Sequence, residues 1–103
     1  GKAFAVEVPA APQAAAEHNI TLTLKDHKFD KTEVEAPANQ KFTITVINQD
    51  ATAEEFESND MHREKIVPGN GTITVKVGPL KPGVYKYFGE YHEDLAKGTL
   101  TVK

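Results

Sequence analysis

Residues 42–48 read Phe-Thr-Ile-Thr-Val-Ile-Asn, and this alternation constrains the fold more than any other feature of the chain. Side chains of a strand point to opposite faces with a period of two, so Phe42, Ile44 and Val46 must share one buried face while Thr43 and Thr45 share the other. The same period recurs in "ITLTL", "EVEA", "EFES", "REKIV", "TITVKVG", "VYKYF" and "GTLTVK". Turn residues separate these runs: "FDKT", "PGNG" and "PLKPG" among them. No stretch shows helical period beyond one turn at "YHEDLAK". Short strands with regular Pro, Gly, Asn and Asp punctuation predict an all-β Greek-key β-sandwich of about eight strands.

Residues 1–17, "GKAFAVEVPAAPQAAAE", differ in composition. "FAVEV" could add an edge strand, but "PAAPQAAA" reads as a connector, so an Ala/Pro-rich arm is expected before a single domain at 18–103. One domain of this size can bury its own core without staples.

The chain contains no cysteine, which excludes disulfides, thiolate ligands and cysteine nucleophiles. Its net charge of −3 speaks against nucleic acid, where a basic surface supplies most of the affinity. No apolar run reaches the roughly 20 residues of a membrane span. The chain starts at Gly1 and not at Met, which fits a leader already removed. "PGNG" lacks the following Lys-Ser/Thr and helix of a phosphate loop. No Ser/His/Asp grouping has the context of a nucleophile elbow.

The alternating "FTITVIN", the later "PGVYKYF", His92 and the closing "GTLTV" together resemble the cupredoxin fold. "DHKF", "NQDATAEEFES", "REK" and "FGEYHED" are similar to motifs of the cupredoxin-like proteins and domains that accompany bacterial high-affinity iron permeases. The resemblance covers about residues 19–103. It implies a periplasmic accessory of ferrous iron uptake, binding iron and/or copper, that oxidises Fe(II) as a ferroxidase component or hands iron to an inner-membrane permease. A periplasmic iron-binding or redox partner is implied with it.

By the same resemblance, three of the four blue-copper ligand positions have changed. Glu54 stands where the first imidazole is expected, Gly89 where the thiolate is expected and Ala96 where the thioether is expected; only His92 is kept. A blue-copper centre needs two imidazoles and a thiolate, so this chain cannot build one. Glu54, Glu90 and His92, with His27 from the segment before Phe29, are expected to gather at one end of the sandwich as metal ligands, with Glu93 as a weaker member. Oxygen and imidazole suit Cu(II), Fe(II), Fe(III) and Mn(II) better than sulfur-seeking ions.

Parity separates Glu54, which shares its face with the core residue Phe56, from Glu55 and Glu57. Those two could form a second, shallower site with His62 or Glu64, or pair with Arg63 and Lys65 across a hairpin. Met61 and His62 together suggest a copper carrier as an alternative, with the Met61 side chain expected to be partly buried. A further alternative is a metal-free interaction module presenting Tyr91 and the acidic loop.

Overall fold

The computed structural model describes residues 17–103 and shows a two-sheet β-sandwich. Nine strands follow in order: β1 (His18–Lys25), β2 (Lys28–Phe29), β3 (Glu33–Ala36), β4 (Phe42–Asn48), β5 (Glu54–Ser58), β6 (Arg63–Val67), β7 (Thr72–Val77), β8 (Gly83–Gly89) and β9 (Lys97–Val102). A single 3-10 turn, Glu90–His92, joins β8 to β9. The eight strands expected from alternation are all present. The ninth, β2, is two residues long and too short to show a period. The expected edge strand at "FAVEV" and nearly all of the expected N-terminal arm lie outside the described residues.

One sheet has the order β2-β1-β4-β7 and the other β3-β9-β8-β5-β6. β1 runs parallel to β4 in full register, from His18 opposite Phe42 to Leu24 opposite Asn48. Strict alternation on β4 buries Phe42, Ile44, Val46 and Asn48. Ile20, Leu22 and Leu24 of β1 and Ile73, Val75 and Val77 of β7 complete that inner face. Phe56, Val67, Tyr87, Leu100 and Val102 oppose them from the second sheet. Phe29 sits edge-on to Tyr87, with ring centroids 5.2 Å apart, and to Phe56 at 6.4 Å. The Tyr87 hydroxyl donates to the Lys31 carbonyl at 2.8 Å, and burial followed by the charge of Asp30 pushes its phenol upward. The polar outer face of β1 and β4 holds itself together, for the Thr43 and Thr45 hydroxyls both donate to Asn19 Oδ1.

Asn48 is where the fold begins to arrange a site. Its alternation position carries a polar side chain into the core, where it is 2% exposed. Nδ2 donates to the carbonyls of Thr52, Val67 and Pro68, and Oδ1 accepts the Asp50 N–H at 3.0 Å. The loop from 49 to 53 is thereby fastened to the end of β6. The tip of the β1–β2 hairpin, the start of β5 and the end of β8 all converge on this end of the sandwich.

Replacing Asn48 by Ala leaves buried carbonyls without donors, a loss of about 1–3 kcal/mol. Urea unfolding of Asn48→Ala is expected to show a lower midpoint with an unchanged slope.

Candidate metal site

Four segments place the side chains. Lys25 pairs with Lys28, so Asp26 and His27 form a two-residue hairpin turn. Both have positive φ, 53° and 61°, the geometry of a primed turn whose twist matches the strands. Neither residue is glycine, and the turn is secured by Asp50. One carboxylate oxygen accepts the Asp26 N–H at 2.8 Å and the other accepts the His27 N–H at 2.9 Å. The same Oδ2 lies 3.6 Å from His27 Nδ1. The His27 backbone bond lowers the Asp50 carboxyl below its ordinary value of 3.8 most strongly, against a counter-effect of burial; the Asp26 bond and the His27 and His92 rings lower it further. The stabilisation of the turn is therefore complete above about pH 4 and is lost as acidification passes through the lowered value.

Glu54 opens β5 with the parity of Phe56 and is 3% exposed. Burying a carboxylate is costly unless its oxygens find donors. Oε1 accepts the N–H of Tyr91 at 2.8 Å and that of Glu55 at 3.0 Å. Oε2 lies 2.6 Å from His92 Nδ1, a charge-assisted hydrogen bond in which the ring nitrogen donates. Tyr91 and His92 stand on the 3-10 turn, held in turn by Ala96 N–H donating to the His92 carbonyl at 2.8 Å.

The two imidazoles meet face to face. The rings of His27 and His92 are stacked with centroids 3.6 Å apart and planes 11° from parallel. Donor atoms of His27, Glu54 and His92 all lie within 4.8 Å of one another. Two nitrogens and one oxygen, on a buried carboxylate and two partly exposed rings, lie close enough together that they could hold a metal ion.

A blue-copper centre does not fit here. Gly89 offers no sulfur and Ala96 no thioether, and the Glu54 carboxyl group fills the space beside Gly89 that a side chain there would need. The donors present fit harder or borderline ions that accept oxygen.

Glu90 does not join this group. Gly89 pairs with Phe56 and is buried, so the next residue points to the opposite face. Glu90 is exposed there, on the side of Glu55 and Glu57. Glu93 is also exposed and stays outside the cluster.

Glu55, Glu57 and Glu64 form a separate acidic cluster with donors within 4.8 Å. The β5–β6 register sets Glu57 opposite Glu64 and Phe56 opposite Lys65, so the expected pairing of Glu55 and Glu57 with Arg63 and Lys65 does not form. Those cations turn to the other sheet, where Arg63 Nε donates to the Lys76 carbonyl and Lys65 Nζ to the Thr74 carbonyl. Burial raises the Glu57 carboxyl to about 7, helped by hydrogen bonds with Glu64 and Glu55 and by the charges of Glu90 and Glu55. His62 is exposed and outside the cluster. Met61 is 3% exposed and belongs to the core, more buried than expected, so Met61 and His62 do not make a surface pair. They sit at the Ser58–Arg63 end of the hairpin, away from Glu54 opposite Val67.

Sequence reasoning passed over Asp50. Its signal was an acidic residue two positions after the strand-ending Asn48, close in space to a hairpin whose turn residues are not glycine.

A raised carboxyl favours the folded state while protonated. That advantage is present below the ordinary value of 4.5 and lost as pH rises through about 7. Glu57→Gln removes the penalty, so its denaturation midpoint is expected to exceed that of the parent at pH 8 and to approach it at pH 4.

Comparison with known proteins places this geometry in a family. The family model described as "Cupredoxin-like domain" matches residues 2–102. "Uncharacterized protein RP394" of Rickettsia prowazekii (strain Madrid E) is 47% identical over 83 residues, which cover 81% of this chain and 66% of that protein. Among solved structures, auracyanin A, a "blue" copper protein of Chloroflexus aurantiacus, superposes with a TM-score of 0.73 at 20% identity, covering 85% of this chain and 100% of that one. Amicyanin of Paracoccus versutus gives 0.65 at 15% identity, covering 88% and 86%. At such identities the two structures speak for the fold. The family match extends over nearly the whole sequence, and the chain belongs to the cupredoxin-like domain family.

Proposed function

We propose that this chain binds a transition-metal ion through His27, Glu54 and His92, and that it serves ferrous iron uptake in the periplasm by taking up iron, or Cu(II), and passing it on. The observation that carries the reading is the meeting of two imidazoles and one buried carboxylate at the end of a cupredoxin-like sandwich that has no sulfur to offer. The exchange of sulfur for oxygen favours harder ions. An anionic oxygen donor also stabilises Fe(III) more than Fe(II), which favours oxidation wherever an acceptor such as dioxygen or a redox partner takes the electron.

Access supports transfer over storage. The His92 and His27 side chains are 30% and 37% exposed, while that of Glu54 is 4% exposed. An ion can enter and leave past the rings without any strand opening. The likeness of "EEFES" and "FGEYHED" to the cupredoxin-like companions of iron permeases supports iron as the cargo and a membrane permease as its recipient.

A second reading has its own observation. Glu54 is fully hydrogen-bonded by protein groups, and Tyr91 and Leu95 stand 50% and 48% exposed beside His92. A metal-free interaction module would present this surface to a partner protein.

Calorimetric titration with Fe(II), under exclusion of oxygen, and with Cu(II) separates them. The parent is expected to bind, His92→Ala and His27→Ala to bind more weakly, and Met61→Leu to bind as the parent does. Metal at about a hundredfold its Kd is expected to stabilise the fold by about 2.7 kcal/mol. Equal heats in the parent and His92→Ala, with no metal-dependent shift in Tm, would leave the metal-free module standing.

A further inference from the structure

Gly89 has φ −95° and ψ 112°, an extended conformation open to every residue type. Backbone freedom therefore does not account for a glycine at this place, and space does. A β-carbon on Gly89 would stand 2.8 Å from Glu54 Cδ, 3.0 Å from Glu54 Oε1 and 2.8 Å from Ala96 Cβ. Contacts that short force something to move. Ala96 is wholly buried, and its backbone is tied at both ends of this loop: its N–H donates to His92 and its carbonyl accepts the Gly89 N–H at 2.9 Å. The Glu54 carboxyl is the far end of a flexible side chain and is the group that can yield.

We propose that Gly89 is a specificity-determining residue of the metal site: by carrying no side chain it seats the Glu54 carboxylate beside His92, and so commits the site to ions that accept oxygen. The inference rests on the reading of His27, Glu54 and His92 as the metal ligands. It adds that oxygen at this position is a property of two residues, one supplying the carboxylate and the other vacating its seat. Gly89 touches no ion and offers no donor, and it acts only through Glu54. The chemical class selected is a divalent or trivalent ion content with imidazole and carboxylate, as against an ion that requires thiolate.

The test removes the seat and keeps every donor. Gly89→Ala is titrated with Cu(II) and with Mn(II), each alone, by calorimetry. Changes to groups that orient a ligand weaken binding by about 10–100-fold, and that loss is expected here for both ions. Glu54→Asp shortens the carboxylate by one methylene and makes room for the added methyl. In the Gly89→Ala background it is expected to recover part of the loss, whereas Glu54→Asp alone is expected to weaken binding. Gly89→Ala/Ala96→Gly relieves the contact at residue 96 while keeping the one at Glu54, and serves if Gly89→Ala does not fold.

A readout without metal accompanies these titrations. The hydrogen-bonded His92 Nδ1 proton, followed by NMR, is expected to be displaced in Gly89→Ala and restored when Glu54→Asp is added. Gly89→Ala with parental affinity and a parental proton signal overturns the proposal. So does a double variant that binds no better than Gly89→Ala while folding as well. If the parent itself takes up neither ion, the metal reading fails, and the proton signal still decides whether Gly89 seats the carboxylate.

Discussion

A carboxylate shut away from water must be given donors, and Glu54 organises one end of this molecule by that demand. Two backbone N–H groups and one imidazole answer it. Each answer fixes something else. The bond from Tyr91 holds the 3-10 turn against β5, the bond from Glu55 sets the first residues of that strand, and the bond to Nδ1 orients His92. Leaving such a group buried with a partner removed costs several kcal/mol, which is why the arrangement behaves as one unit and not as three contacts. His27 then completes it from another sheet by lying flat on His92.

The rest of the sandwich frees this end from structural duty. Its core is apolar and continuous, and among the described residues no buried side-chain nitrogen or oxygen lacks a partner. The open sides of the two sheets are closed by long polar side chains. Arg63 and Lys65 reach from β6 to the carbonyls of β7, Lys31 reaches the Thr21 carbonyl, and His18 Nε2 meets the Glu35 carbonyl at 3.0 Å. Edge groups satisfied in this way are poor templates for another strand. Stability is thus supplied by the sheets, and the loops at the Glu54 end can hold groups that a core would exclude.

The strands were legible because a period of two is a local property, written in each run of four to eight residues. Glu54 was legible for the same reason, through its parity with Phe56. The misread pairing of the β5–β6 hairpin comes from the dependence of contacts on register. Glu57 faces Glu64 because four residues, Asn59 to His62, turn the β5–β6 hairpin, and parity alone does not say which partner a given register selects. Glu90 was misplaced although counting one step from the inward Gly89 would have sent it outward. Met61 is buried because its N–H bonds to the buried Ser58 hydroxyl at 3.1 Å, which pulls the turn onto the core. The approach of His27 to His92, 65 positions away, was expected from the family resemblance, whereas the face-to-face stacking of their rings was not.

The absent sulfur and the present carboxylate are therefore one feature of the structure. A glutamate at position 54 with any larger residue at 89 would have to leave the pocket or stay there under severe crowding. A glycine at 89 with an apolar residue at 54 would leave Tyr91 N–H and His92 without their acceptor. Each substitution is costly without the other, whereas together they leave the backbone in an ordinary extended form and the buried oxygens satisfied. The cupredoxin-like frame accommodates a buried carboxylate at this end because the pairing of Glu54 with Gly89 is confined to the space between β5 and the loop after β8.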